Sequence, residues 1–286
     1  MDTVLRSAAA ELVIGPGHPF CIIGERINPT GRRTFLDQLR RGDLSGIEVD
    51  VAQQVAGGAM ALDVNMGAPL ADETGLMVSA VRLIQAACDL PLCLDSPVAE
   101  VLEAGLAAYE GKALVNSVTA EDWRLDAILP LVRRHGAAVV ALPVDEGKIP
   151  GEPARRVELA RKIIDVATGR YGIAVEDIMI DPLAMPAGAG AGHTGRTLET
   201  IALLRAEFGV NMTLGASNVS FGMPGRAAIC AAFLPMAISA GLTSAIMDAR
   251  SPQVVRSVKA ADLLLNSDPR GAAWIAAHHA QPRPVI

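Results

Sequence analysis

The sequence predicts a closed (β/α)8 TIM barrel, and three observations carry the prediction. Apolar runs of three to six residues recur along the chain, each closed by a polar residue, as strands covered on both faces require. Segments of helical spacing separate them. The 286 residues, 51% hydrophobic, match a fold that fills about 250 residues around a single core. A doubly wound open sheet is the structural runner-up, because it uses the same alternation. One domain over residues 1–286 follows, with an N-terminal extension over about 1–18 and a loose tail over about 270–286.

Taken in order, the extension reads as a helix ending at Gly15-Pro16-Gly17. A strand over 20–23 leads into the charged, turn-rich loop 24–33. A helix over 47–56 precedes a strand over 61–64 closed by Asn65, and a helix over 76–87 follows. Leu92, Cys93 and Leu94 form a strand closed by Asp95. Ser96 then offers an N-cap and Pro97 a first helical position. Val98, Val101, Leu102, Leu106 and Tyr109 repeat at helical spacing up to Gly111. Ala113, Leu114 and Val115 make the next strand, closed by Asn116, and Thr119 with Asp122 reads as a capping box. Beyond it come a helix over 125–134 stopped by Gly136, a strand over 137–142 and a helix over 153–168. A strand over 178–180, closed by Asp181-Pro182, precedes a helix over 197–208. Residues 212–214 begin a further strand, 227–240 an Ala-rich helix kinked at Pro235, 244–247 a last strand ending at Asp248, and 252–265 a last helix.

Composition excludes several classes. With a formal net charge of −6 and no Lys/Arg run longer than two, nucleic acid is not the main partner. Cys21, Cys88, Cys93 and Cys230 are scattered without a CxxC pair, which reads as reduced cytosolic thiols. Asp2 and Glu11 around a short apolar run make no signal peptide, and no apolar stretch approaches a membrane span, so a cytoplasmic protein is expected. The histidines have no zinc spacing, and no nucleophile elbow supports Ser-His-Asp catalysis.

The strand closers carry the chemistry: Glu25 and Asn28 after the first strand, then Asn65, Asp95, Asn116, Asp181, Asn218 and Asp248. In a parallel barrel all of these open on one face. Any one of them reads as ordinary turn chemistry. Together they offer carboxylates and amides with no His or Lys, which suits a neutral heterocycle presenting both donors and acceptors and suits a phosphate poorly. A divalent cation on Asp95, Asp181 and Asp248 is a weaker reading, because no tight spacing motif joins them, and no metal is expected. Gly190-Ala-Gly192-His-Thr-Gly195 matches GxGxxG, but it lies nine residues beyond Asp181 rather than directly after the strand, so a loop over the mouth is expected instead of a dinucleotide site.

Six ordered motifs now make the chain recognisable: IGERINPTGRRTF (23–35), ALDVNMG (61–67), LCLDS (92–96), LVNSVTAE (114–121), IMIDPLAMP (178–186) and GASNVSFGMPGR (215–226). Together, over about residues 20–265, they resemble the methyltetrahydrofolate:corrinoid protein methyltransferases, whose pterin-binding barrel is also a module of cobalamin-dependent methionine synthase. The resemblance implies a homodimeric pterin-binding TIM barrel of one-carbon metabolism. It further implies methyltetrahydrofolate as substrate and a corrinoid (cobalamin) carried by a separate protein as partner. It implies Asp95, Asn116 and Asp181 at the pterin edge, Asn218 facing N5 as the catalytic residue, and Arg226 near the p-aminobenzoate or tail. Glu25, Asn28 and Asn65 are further substrate-binding candidates. The methyl transfer fits either direction. A dihydropteroate synthase-like enzyme is the nearest alternative, although SNVSFGMPGR lacks the Ser-Arg-Lys run expected there. A non-catalytic folate-binding module is the other.

Overall fold

The structure, a computed structural model, describes residues 1–279. The chain opens with a hairpin, β1 (Thr3–Arg6) and β2 (Glu11–Ile14), paired antiparallel from Thr3↔Ile14 to Arg6↔Glu11. The helix expected in this extension does not form. Leu5, Leu12 and Ile14 alternate with exposed or half-buried neighbours at the period of a strand. At the turn, Ser7 Oγ accepts from the amides of Ala9 and Ala10.

The barrel follows as β3 (Cys21–Ile27), α1 (Arg33–Arg40), α2 (Ser45–Gly57), β4 (Ala61–Asn65), α3 (Glu73–Ala87), β5 (Leu92–Asp95), α4 (Ala99–Ala108), β6 (Leu114–Thr119), α5 (Asp122–His135) and β7 (Ala138–Leu142). It continues with α6 (Pro153–Gly169), β8 (Ile178–Ile180), α7 (His193–Phe208), α8 (Arg226–Ala240), β9 (Ser244–Met247), α9 (Pro252–Leu264) and α10 (Ala272–His279). Seven strands form one parallel sheet in the order β8-β7-β6-β5-β4-β3-β9.

The expected strand over 212–214 is not a regular ladder, yet it closes the ring. Ile180 N donates to Asn211 O and Thr213 N to Ile180 O on one side; Ser244 N donates to Met212 O and Ile246 N to Leu214 O on the other. Residues 211–215 thus occupy the seventh position of the ring, between β8 and β9, touching each through one bridge. β8 is only three residues long, which leaves no room for a longer ladder. The architecture is the (β/α)8 barrel.

Some local expectations shift. Strand β3 runs four residues into the loop expected at 24–33, and the charged stretch after it forms α1, whose buried Phe35 and Leu39 are four apart on one face. Ser96 caps no helix: its Oγ accepts from Val98 N at 3.1 Å, and α4 starts at Ala99. The Thr119 box is absent, because the Thr119 hydroxyl is engaged by the Glu121 carboxylate and α5 begins without a side-chain cap. Gly136 ends α5 in the left-handed conformation, which glycine adopts without a Cβ penalty. The described part of the tail is helical over Ala272–His279, where Asp268 accepts from the amides of Ala273 and Trp274; the rest, 280–286, lies outside the described residues.

Two apolar layers result. Outward-facing Leu62, Val64, Leu94, Val115, Val139 and Ile180 pack against the helices. Inward-facing Cys21, Ile23, Ala61, Cys93, Leu114, Ala138, Val140 and Met179 fill the barrel, and Leu5, Leu12 and Ile14 of the hairpin join that inner cluster. The hairpin is tied in place by Asn211 Nδ2, which donates to Thr3 Oγ1 (2.9 Å) and Ile14 O (2.8 Å), and by the Tyr109 hydroxyl, which donates to Arg6 O (2.8 Å).

Candidate functional site

Side chains alternate between the two faces of a strand. Continuing each inward row toward the strand C-termini, Ile23 leads to Glu25, Ala61 to Asp63 and Asn65, Cys93 to Asp95, Leu114 to Asn116, and Met179 to Asp181. The row changes from apolar to polar within one or two inward steps. Register places Asn65 beside Asp95 and Asp95 beside Asn116.

Asp95 is the centre of one cluster. Asn65 Nδ2 donates to Asp95 Oδ2 at 2.9 Å, and Asn28 Nδ2 reaches the same oxygen at 3.5 Å. Both amides are oriented from behind: Asn65 Oδ1 accepts from Gly67 N and Asn28 Oδ1 from Thr30 N, which turns each NH2 toward the carboxylate. Asn116 Nδ2 donates to Asp63 Oδ1 at 3.3 Å. Asp63, 2% exposed, is a further member of this cluster and is absent from the sequence reading. Strand period alone would have found it, two positions before Asn65.

Burial raises the carboxyls of this cluster. It pushes Asp95 up to about 6 against the hydrogen bond from Asn65, and Asp63 well above the carboxylate range, with the Asp95 charge adding to it. Asp181 is pushed to about 7 by burial, opposed by its hydrogen bond from Leu183 N (2.7 Å) and by the charge of Arg156. Arg156, 2% exposed on α6, donates to Pro182 O (2.8 Å), Leu183 O (2.9 Å) and Pro150 O (2.9 Å), so a buried guanidinium holds the loop that carries Asp181. An arginine inside an amphipathic helix reads as surface, and no signal in the sequence marks this one.

Across the mouth lies a second group. Ser217 Oγ donates to Glu25 Oε1 at 2.8 Å. Arg226, expected to reach a substrate tail, is folded against its own turn, with Nε on Ser220 Oγ (3.1 Å) and Nη2 on Ser217 O (2.8 Å). Glu25, Ser217, Ser220, Arg226, Cys230 and Asp248 line a pocket of about 250 Å³. Asp248 is held by Arg250, whose hydrogen bonds outweigh burial and lower its carboxyl. Asn218 stands exposed on the 3-10 turn Ala216–Ser220, and its side chain has no hydrogen bond among the described residues. Its Nδ2 lies where a Cβ on residue 215 would be 3.0 Å away, so Gly215 makes room for it. Beside Asp95 and Asn116 a cleft of about 350 Å³ opens toward Trp123 and Arg124.

The expected site residues therefore share one end of the barrel in two groups: Asn28, Asn65, Asp95 and Asn116 in contact through Asp95 and Asp63, and Glu25 with Arg226 through Ser217. Asp181 and Asn218 stand on the rim without a direct bond to either. The glycine motif places Gly192 at the start of α7 in the left-handed conformation, with His193 already helical. Among the described residues no cluster of His, Cys, Asp or Glu is arranged to hold a metal ion, and no helix is long and apolar enough to cross a membrane.

Comparison with known proteins agrees with this architecture. The chain is 30% identical over 254 residues to the methylcorrinoid:tetrahydrofolate methyltransferase of Eubacterium limosum, covering 86% of this chain and 92% of that protein. It is 34% identical over 241 residues to the methionine synthase of Mycobacterium tuberculosis, covering 80% of this chain and 20% of that one, so the match spans about a fifth of the longer enzyme. Among solved structures, the dihydropteroate synthase of Yersinia pestis superposes with a TM-score of 0.69 at 16% identity, covering 93% of this chain and all of that one; the likeness is one of fold. The family described as pterin binding enzyme matches residues 24–248, the span from the first barrel strand to Asp248 that holds both groups of mouth residues, and the chain belongs to that family of pterin-binding enzymes.

Proposed function

We propose that this protein moves a methyl group between N5 of methyltetrahydrofolate and the cobalt of a corrinoid carried by a partner protein. The observation that carries the reading is the Asp95 cluster. Two amides with fixed orientation leave a buried carboxylate facing an open mouth, which is what the amino and N–H edge of a pterin requires. In this reading Asp95, Asn116 and Asp181 take the pterin edge, with Asn28 and Asn65 holding Asp95. Glu25 and Arg226 lie toward the p-aminobenzoate and tail. The corrinoid-acting name of the Eubacterium limosum relative, matched over 92% of its length, supports the same assignment.

Breaking the N5–methyl bond leaves electron density on a poor leaving group, so the site must supply a donor as the bond breaks. Asn218 suits that role, because its amide is exposed and unengaged and free to turn toward N5. A hydrogen bond to N5 strengthens as charge develops there, which favours the transition state over the ground state. The corrinoid supplies the nucleophile or the methyl donor, so the barrel needs no covalent nucleophile of its own. A homodimer in the cytoplasm, where the four thiols stay free, completes the reading.

Purified protein mixed with methyltetrahydrofolate and free cob(I)alamin should show methyl transfer in the corrinoid absorption spectrum. Formation of dihydropteroate from a pterin pyrophosphate and p-aminobenzoate, with no transfer to cob(I)alamin, would assign the chain to the other chemistry of this fold.

A further inference from the structure

Asp63 lies one inward step below the mouth, beneath Asn65 on β4, and is 2% exposed. The strands around it bring acids, a thiol and an amide, and no cation. On β5, Cys93 sits beside it in register and hydrogen bonds to it, with Asp95 one inward step above. On β3, Glu25 is its charged neighbour. From β6, Asn116 donates to its Oδ1. No Lys or Arg forms an ion pair with it among the described residues. Three carboxyls from adjacent strands therefore converge within one inward step of each other, and two neighbouring anions without a cation cannot both persist in a low dielectric. Asp95 is the nearer to solvent and has Asn65 and Asn28 as donors, so the negative charge belongs there.

We propose that Asp63 is a positioning residue kept as the neutral carboxylic acid beneath Asp95. One ionised carboxylate then faces the pterin, while the neutral acid and the bond it accepts from Asn116 fix the floor of the site. The placement deepens the pterin-binding reading and rests on it only for the ligand. The same burial and neighbouring charges push Asp63 well above the usual carboxylate range, as happens where an acid serves as a hydrogen-bond donor at neutral pH. It also explains why a carboxyl with no cationic partner is placed inside a barrel whose lower interior is mainly apolar. An unpaired anion at that depth would cost far more than the hydrogen bond it accepts returns.

The test separates charge from shape. In the ligand-free protein, carbon-13 labelling of the aspartate carboxyls, assigned with Asp63→Asn, should show Asp63 still protonated where Asp95 is half-ionised, near 6. An Asp63 resonance that ionises before or together with that of Asp95 overturns the proposal, whatever the ligand. Where Asp63→Asn folds, its Asp95 midpoint should stay within a few tenths of a unit of the wild type, because an amide replaces a group that is already neutral. A fall of one unit or more would mean that a negative charge had been removed and would also overturn it. With methyltetrahydrofolate as probe, Asp63→Asn should retain at least ten-fold tighter binding than Asp63→Leu, which has no polar atom for Asn116; equal losses in both overturn the positioning role. If folate does not bind the wild type, the pterin reading fails and the carboxyl titration still decides the state of Asp63.

Discussion

The two ends of the barrel interior are built on the same strands and obey opposite rules. At the lower end Ile23, Cys93, Leu114, Ala138 and Met179 meet the hairpin residues Leu5 and Ile14, all at or near zero exposure. At the upper end, one or two inward positions later, Glu25, Asp63, Asn65, Asp95 and Asn116 crowd acids and amides together. The contrast shows that the barrel separates its tasks by depth. The floor supplies burial at about 25 cal/mol per Å², and the mouth offsets part of it with buried carboxyls held by neighbouring amides and a backbone N–H.

Four changes break or sharpen that contrast. The largest effect is expected at the floor. Leu114→Ala leaves a cavity between the strands and the hairpin and should cost about 2–5 kcal/mol in denaturant unfolding, while folate affinity of the folded fraction is held within a few-fold. A large affinity loss would show that the two ends are not separable.

At the mouth the order reverses, with function sensitive and the fold tolerant. Asn218→Ala should slow single-turnover methyl transfer to cob(I)alamin by about 10²–10³, the usual cost of a donor acting in the transition state. Melting temperature should barely move, since the side chain makes no hydrogen bond in the fold. Collapse of affinity with an intact bound-state rate would make Asn218 a pterin anchor only.

The raised acids make the mouth a source of instability with a definite sign. Asp181 binds its proton more tightly folded, at about 7, than unfolded, at 3.8. Between these values the unfolded chain has released the proton and the folded chain has not, so stability falls as pH rises and the penalty is complete above 7. Asp181→Asn should therefore stabilise the ligand-free protein by an amount that grows from pH 4 to pH 8, to about 4 kcal/mol. Thermal melts of both proteins across that range measure it; a constant difference would contradict the burial of this acid. The smallest expected effect is Asp95→Ala, which removes one charged acceptor and should weaken folate binding by about 10–100-fold in calorimetry.

Much of this was legible in the chain, and the illegible parts have physical reasons. Closers such as Asp95, Asn116 and Asp181 are legible as a set, because polar residues that end parallel strands of one barrel open on one face. Asp63 was hidden because a lone acid inside ALDVN resembles a defect in the pattern until the alternation is counted inward from Asn65. Arg156 was hidden because its partners are backbone carbonyls 26 and 27 residues away, which no local pattern encodes. The hairpin was misread as a helix because its strands are only four residues each and the Ala8-Ala9-Ala10 turn between them favours helix. Tertiary burial of Leu5 and Ile14 decided the outcome. The seventh position of the ring fell between categories: the segment was foreseen as strand, and it closes the barrel through isolated bridges.

The hairpin has a temporal consequence. Asn211, which donates to Ile14 O, follows it by 197 residues, so the plug emerges from the ribosome long before its last anchor exists. At roughly 5–20 residues per second of synthesis, Leu5, Leu12 and Ile14 wait for on the order of 10–40 s. The growing chain must shelter that apolar ribbon while the ring around it is still being made.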